Sequence, residues 1–232
     1  EMRDKLRLSD LSVLYVCLSE KWGTIERRCL SDASYFRNIG GSSIILCHEK
    51  SLIDLEAEKE VIPRIYFPTD LSTWRSKLNF YFQIQLILQK QQIDLVHSYN
   101  YECLMPLGMI LKGMPQIPMV FTFNENIEWK KSSIFDKLFV SRTDSIFTFS
   151  SNIRELAVEF FPVNGRKIHV TGAGIDFPSK INRSQHPDTK KKIMTFVPRT
   201  EDDLKTLRLF VDALPPLLAQ LQQMGFKQQL IF

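Results

Sequence analysis

Several features are missing from these 232 residues. The four cysteines, Cys17, Cys29, Cys47 and Cys103, form no Cys-x-x-Cys pair, and no two stand at zinc-ligand spacing. Buried, reduced thiols in a cytosolic protein are therefore expected. No apolar run approaches the roughly 18–20 residues that a membrane-spanning helix needs. Residues 1–5 are mostly charged and the apolar run after them reads as a strand, so no signal peptide is expected. No Gly-x-Gly-x-x-Gly follows the first strand, where only Trp22-Gly23-Thr24 occurs. That argues against a dinucleotide-dependent oxidoreductase. There is no internal repeat and no low-complexity tract. Charge is nearly balanced: a net +4 is too small to argue for nucleic acid. It suits a nucleotide diphosphate or an anionic membrane face, but equally an ordinary soluble protein.

The remainder is a globular composition. With 44% hydrophobic and 24% charged residues, a packed core is expected. The length fits one large α/β domain, or one domain plus part of a second. The most informative stretch is residues 144–176. Residues 144–149 alternate β-branched and aromatic side chains. Ser151 is a plausible helix N-cap, with Ile153, Leu156, Ala157 and Phe160 at helical spacing behind it. Pro162 and Gly165 stop that helix, and residues 168–170 form a second strand. Such a β-α-β unit needs a parallel sheet to bury its strands.

The same alternation runs through the chain. Residues 12–18 are a nearly continuous apolar run, as a central parallel strand requires. A helix is expected over 25–38, with Ile25, Cys29, Ala33 and Phe36 inward and Gly40-Gly41 at its end. Strands follow at 43–47 and 65–67, and residues 49–73 are otherwise irregular. Residues 74–92 form an amphipathic helix on which Trp74, Leu78, Phe82 and Leu86 fall four apart, widened by Tyr81, Ile84, Ile87 and Leu88. It either packs on the sheet or lies on a membrane; Arg75, Lys77 and Lys90 are few for the second role. Strands at 94–97 and 118–123 flank a helix at 101–111 with Leu104, Leu107, Ile110 and Leu111 inward. A short helix is expected over 132–141. Residues 178–188 read as an interdomain linker. A strand at 193–197, a helix over 203–224 that Pro215-Pro216 must kink or split, and a strand at 229–232 complete the chain.

Several segments carry a family resemblance. Asp144 with Ser150, then Lys167-Ile168-His169-Val170, then Gly174-Ile175-Asp176 resemble the "aD.ii..S" and "ki.vi.nGvD" segments of GT-B-fold glycosyltransferases, family 4. Asp94-Leu95-Val96-His97 resembles that family's "DvvH", and Trp22-Gly23-Thr24-Ile25-Glu26 its "GG.E" loop. The resemblance implies an α/β, Rossmann-like, mostly parallel sheet with helices on both faces, followed by a partial second Rossmann-like domain. The expected boundaries are 1–180 for the acceptor-side domain, 181–192 for the linker, and 193–232 for the first β-α-β of the donor-side domain.

By the same resemblance the chain transfers a sugar from a nucleotide diphosphate-sugar donor to a glycan or lipid-linked acceptor, with retention and without a metal or resident cofactor. Gly23, Arg199 and Lys205 are the donor-binding positions. A glycine before a helix N-terminus lets backbone N–H groups approach an anion, an arginine fork suits phosphate oxygens, and a lysine adds a point charge. Trp22, His97, Ser150 and Gly174 fall in the acceptor-side cleft. Asn124 and Glu125 are the catalytic candidates. Asn124 stands where the family commonly has a histidine; it can hydrogen-bond a sugar hydroxyl but cannot titrate near neutral pH. The family's paired glutamates fall beyond Phe232, so this chain alone is expected not to turn over a donor. The alternative is a non-catalytic GT-B module that binds a glycan, a lipid head group or a protein. The expected location is the cytoplasm, with peripheral contact at the inner membrane face as an extension of the lipid-acceptor reading.

Overall fold

The short apolar runs become strands because each is bounded by turn residues, and the central ones are buried on both sides while the edge strands are partly exposed. In the computed structural model, which describes residues 8–68, 72–123, 138, 140–172 and 204–225, seven of them form one sheet. They are β1 Ser12–Val16, β2 Ser42–Cys47, β3 Arg64–Tyr66, β4 Leu95–Ser98, β5 Met119–Phe123, β6 Ser145–Thr148 and β7 Ile168–Val170. Their order is β3-β2-β1-β4-β5-β6-β7, and every neighbouring pair is parallel. This is the expected Rossmann-like architecture.

Among the described residues five helices cross between these strands: α1 Thr24–Asn38, α2 Leu52–Lys59, α3 Trp74–Lys90, α4 Leu104–Lys112 and α5 Ser151–Phe160. The period-2 alternation of β1 sorts the core. Leu14 and Val16 join α3, α4 and α5 on one face, while Val13 and Tyr15 join α1 and α2 on the other. All four cysteines are buried free thiols. Gly40 follows α1 with φ +98°, a left-handed angle that a side chain resists and that ends the helix cleanly.

Two aspartates set the register from the sheet's N-terminal edge. Ser12 donates its N–H to Asp94 Oδ2 at 2.9 Å, and Asp94 donates its own N–H to the Ser12 carbonyl at 2.9 Å. Met119 and Asp144 repeat the arrangement at 2.9 Å and 2.8 Å. Each aspartate precedes its strand by one residue and clasps the first residue of the strand beside it. Arg142 braces the second clasp, pairing with Asp144 and donating to the Leu111 and Ile117 carbonyls.

The structure corrects four details. The irregular stretch at 49–73 contains α2, which Ser51 caps by accepting the Asp54 N–H. The cap of α5 is Ser150, one residue earlier than expected, accepting the Ile153 N–H at 3.3 Å; Ile153 and Ala157 are buried, but Leu156 and Phe160 are partly exposed. On α3 the buried row is Ser76, Phe80, Ile84 and Leu88, so the expected Trp74–Leu78–Phe82–Leu86 row faces outward. In α3, residues two apart lie about 200° apart, so the two four-spaced rows occupy opposite sides.

The chain divides into two compact units, Glu1–Ile175 and Asp176–Phe232. In the second, α6 Leu204–Gln223 runs as one helical span with Pro215 and Pro216 inside it. The strands expected at 193–197 and 229–232, the linker at 181–192 and residues 132–137 of the expected short helix lie outside the described residues.

Candidate functional site

In an open parallel sheet, ligands bind beyond the strands' carboxyl ends, where the strand order reverses. Here the reversal lies between β1 and β4, because the chain leaves β1 toward β2 and β3 and then returns to β4 on the other side. The crevice is therefore framed by residues 17–23 after β1 and residues 99–100 after β4. Asn100 spans it. Its Oδ1 accepts the Leu18 N–H at 2.6 Å and its Nδ2 donates to the Leu18 carbonyl at 3.3 Å.

Trp22 and Gly23 stand at this edge. Gly23 caps α1. Its N–H donates to Glu26 Oε2 at 2.7 Å, and Glu26 is buried. This is the backward half of a capping box: the third helical residue reaches back to the cap amide. The chain's own carboxylate thus takes the Gly23 amide that an incoming phosphate would use. The half-buried Trp22 ring lies 5.9 Å from the guanidinium of exposed Arg27.

His97 is present in β4 but does not open onto the crevice. It is 6% exposed, paired in register with Tyr15 and Val120, and stacked on Tyr99 at 4.3 Å between ring centroids. Burial, with Arg28 as a lesser cause, pushes its pKa down to about 3, so the ring is neutral. Its partners fix the tautomer. The Tyr99 hydroxyl donates to Asp32 Oδ2 at 2.6 Å, so toward His97 Nδ1, 3.3 Å away, it can only accept. Nδ1 therefore carries the proton, and Nε2 accepts from the Thr122 hydroxyl at 2.8 Å. Burial also raises the Tyr99 and Tyr15 phenols well above their ordinary range, with Asp32 adding to both.

The network continues to the far strands. Arg28 pairs with Asp32 at 2.8 Å and donates to the Gly172 carbonyl at 3.3 Å. Its guanidinium sits 6.0 Å from the Phe149 ring centroid. Arg28 thereby ties α1 to the ends of β6 and β7, where Ser150 caps α5. Asn100, Tyr99, Asp32 and Arg28 were not singled out from the sequence. The usable signal was position: Tyr99 and Asn100 follow the strand at which the order reverses.

Asn124, Glu125, Gly174 and Arg199 lie outside the described residues, and Lys205 is placed only as a backbone position in α6. A hollow of about 250 Å³ after β2, lined by Glu20, His48, Glu49, Lys50, Ser51 and Leu52, includes none of the expected site residues. Among the described residues no His, Cys, Asp or Glu cluster could hold a metal ion, and no helix is long and apolar enough to cross a membrane.

The glycosyltransferase family 4 model matches residues 25–177, more than half of the chain. Solved structures share the fold. A glycosyltransferase from Rickettsia africae is 20% identical, covers 72% of this chain and 44% of its own, and has a TM-score of 0.63. Anabaena HepE in complex with UDP is 13% identical, with coverages of 72% and 45% and a TM-score of 0.58. MurG from Acinetobacter baumannii is 13% identical, with 72% and 47% covered and a TM-score of 0.53. This chain thus spans less than half the length of each. No curated protein matches it by sequence.

Proposed function

This chain belongs to glycosyltransferase family 4, and from that membership we propose that it is the acceptor-side part of an enzyme that moves a sugar from a nucleotide diphosphate donor to an acceptor, with retention. The supporting observation is the family match covering β2 to β7 of the sheet whose strand order reverses at the crevice that Asn100 spans. The UDP held by the Anabaena structure of similar fold agrees with the proposed donor class.

In this reading the described unit does two things. Leu18, Asn100 and Trp22 shape one wall beside the reversal point, and the Arg28–Gly172 contact holds the turn after β7 against α1. Asn124 and Glu125, which follow β5 directly in the chain, would meet the reacting sugar, and Ser150 and Gly174 would border the acceptor. Arg199 and Lys205 would hold the donor diphosphate. Gly23 shapes the loop rather than binding phosphate, since Glu26 already accepts its amide. Buried His97 supports the wall from behind. The donor is a substrate, and the reading calls for no resident cofactor or metal. A lipid-linked acceptor, with the protein at the cytoplasmic membrane face, is the acceptor class proposed.

The test is calorimetry with UDP and a panel of nucleotide sugars, followed by NMR of any product's anomeric configuration. Arg199→Ala should weaken nucleotide binding by about tenfold or more, as loss of a charge-assisted contact implies. Affinity unchanged by that substitution would remove Arg199 from the site. A second reading, a non-catalytic module for a glycan, lipid head group or protein, draws on Asn124 standing in place of a titratable histidine. Acceptor binding without turnover, after the remaining donor-side residues are supplied, would favour it.

A further inference from the structure

Arg28 has more donors than the fold uses. A guanidinium offers five N–H groups in a fixed planar fork. The Arg28 Nε–H goes to Asp32 at 2.9 Å, and one Nη1–H goes to the Gly172 carbonyl at 3.3 Å. Among the described residues no acceptor meets the other three. The side chain keeps 25% of its surface exposed, so these donors are open to a ligand.

The fork is also held in place. Asp32 lies one turn further along α1, and the Tyr99 hydroxyl fixes that carboxylate in turn at 2.6 Å. The Phe149 ring lies 6.0 Å from the guanidinium carbon, and the chain turns at Gly172 with φ +70°. Tyr99, Phe149 and Gly172 follow β4, β6 and β7. Arg28 therefore stands over the carboxyl-end edge of the sheet, where ligands bind in this architecture. A donor set already fixed loses little freedom when a ligand arrives.

Charge decides which ligand suits it. Asp32 pairs with Arg28 at 2.8 Å, so the cation is already matched by a full negative charge. A phosphate or carboxylate arriving at the fork would meet that carboxylate as well, and like charges so close repel. Two neutral oxygens would not. Adjacent hydroxyls on a sugar ring present two oxygens side by side, which a planar fork can meet together.

We propose that Arg28 recognises sugar: its open Nη groups bind a vicinal diol, and Asp32 beside it selects that neutral pair over an anion. The diol belongs to the acceptor sugar or to the ribose of the donor nucleotide. The ligand class rests on the sugar-transfer reading, but the contact is tested by binding alone.

The experiment is NMR of the nitrogen-15-labelled 232-residue chain, following the Arg28 side-chain signals. The titrants are methyl glycosides of glucose, galactose and mannose, then uridine, then inorganic phosphate. A saturable shift with a glycoside assigns the diol to the acceptor, and one with uridine alone assigns it to the donor; either supports the proposal. Arg28→Lys keeps a cation beside Asp32 but has no planar fork, so it should weaken that binding about tenfold or more. Asp32→Asn leaves the cation unmatched and should bring phosphate onto Arg28. The parent's own Arg28 signals carry the test even where a variant melts early. Arg28 signals that no diol moves, phosphate binding the parent more tightly than any diol, or Arg28→Lys binding like the parent would each overturn the proposal. UDP binding that leaves the Arg28 signals unmoved, with no glycoside moving them either, would keep the transfer reading and remove this inference alone.

Discussion

Asn100 holds both backbone groups of Leu18, accepting its N–H at 2.6 Å and donating to its carbonyl at 3.3 Å. One side-chain amide thus does for the loop after β1 what a further residue of strand pairing would do. It joins the chain after β1 to that after β4 two residues beyond the Val16–Ser98 pairing that ends the ladder. The strand order reverses between these two strands, so the crevice begins past that point.

Asn100→Ala should therefore cost about 1–3 kcal/mol, because both Leu18 groups lose their partner. Asn100→Asp should also destabilise at neutral pH, since a carboxylate accepts the N–H but repels the carbonyl. Urea denaturation of the three proteins checks this. A larger loss of nucleotide or acceptor affinity than of stability would show that the latch also shapes the ligand wall.

Acid should weaken the fold through His97. Its folded pKa is pushed below the ordinary 6.5 to about 3. The unfolded chain therefore takes up a proton first as pH falls from 6.5 toward 3, and stability drops through that window by up to about 1.4 kcal/mol per pH unit. Above it the contribution is complete. His97→Asn should be less stable at neutral pH but lose less on acidification, as thermal melts at a series of pH values would record.

Glu26→Ala should cost about 1 kcal/mol by freeing the Gly23 amide at the start of α1. Gly23→Ala should cost little: its φ of −141° suits any residue, and a Cβ there would lie 3.2 Å from a Glu26 carboxylate oxygen that can yield. UDP titration of both variants decides the loop's role. Affinity unchanged by Gly23→Ala supports a shaping role; a tenfold loss would return the amide to the donor site.

Asp94→Ala and Asp144→Ala should each destabilise by about 1–3 kcal/mol, since each strips a strand's first N–H of its acceptor. Neither should alter ligand affinity, because both sit at the edge of the sheet away from the crevice. Parallel melts and nucleotide titrations would separate the two effects.

The sheet was readable because its strands are short apolar runs closed by turn residues, a pattern that depends on little beyond local sequence. The inward side of α3 was not. Its two rows are both largely apolar, and the buried one opens with Ser76, whose hydroxyl donates to the Thr73 carbonyl as part of the helix cap. Which row faces inward is settled by the sheet, not by the helix. α2 was missed because it is short and half charged, although Ser51 and Asp54 announce its cap. His97, Asp94 and Asp144 stand in motif positions, yet the first is buried behind the wall and the other two set strand register. Tyr99, Asp32 and Arg28 meet only in the folded chain; 67 residues separate Tyr99 from Asp32.

The paired aspartate clasps have a further consequence. They fix two strand junctions at the end of the sheet opposite the crevice, so alignment there does not depend on the loops at the crevice end. Those loops can lengthen, shorten or change character while the strands stay in step. A scaffold held in this way separates inheritance of shape from choice of substrate. The molecules handled at the loop end can therefore change while the sheet keeps its alignment.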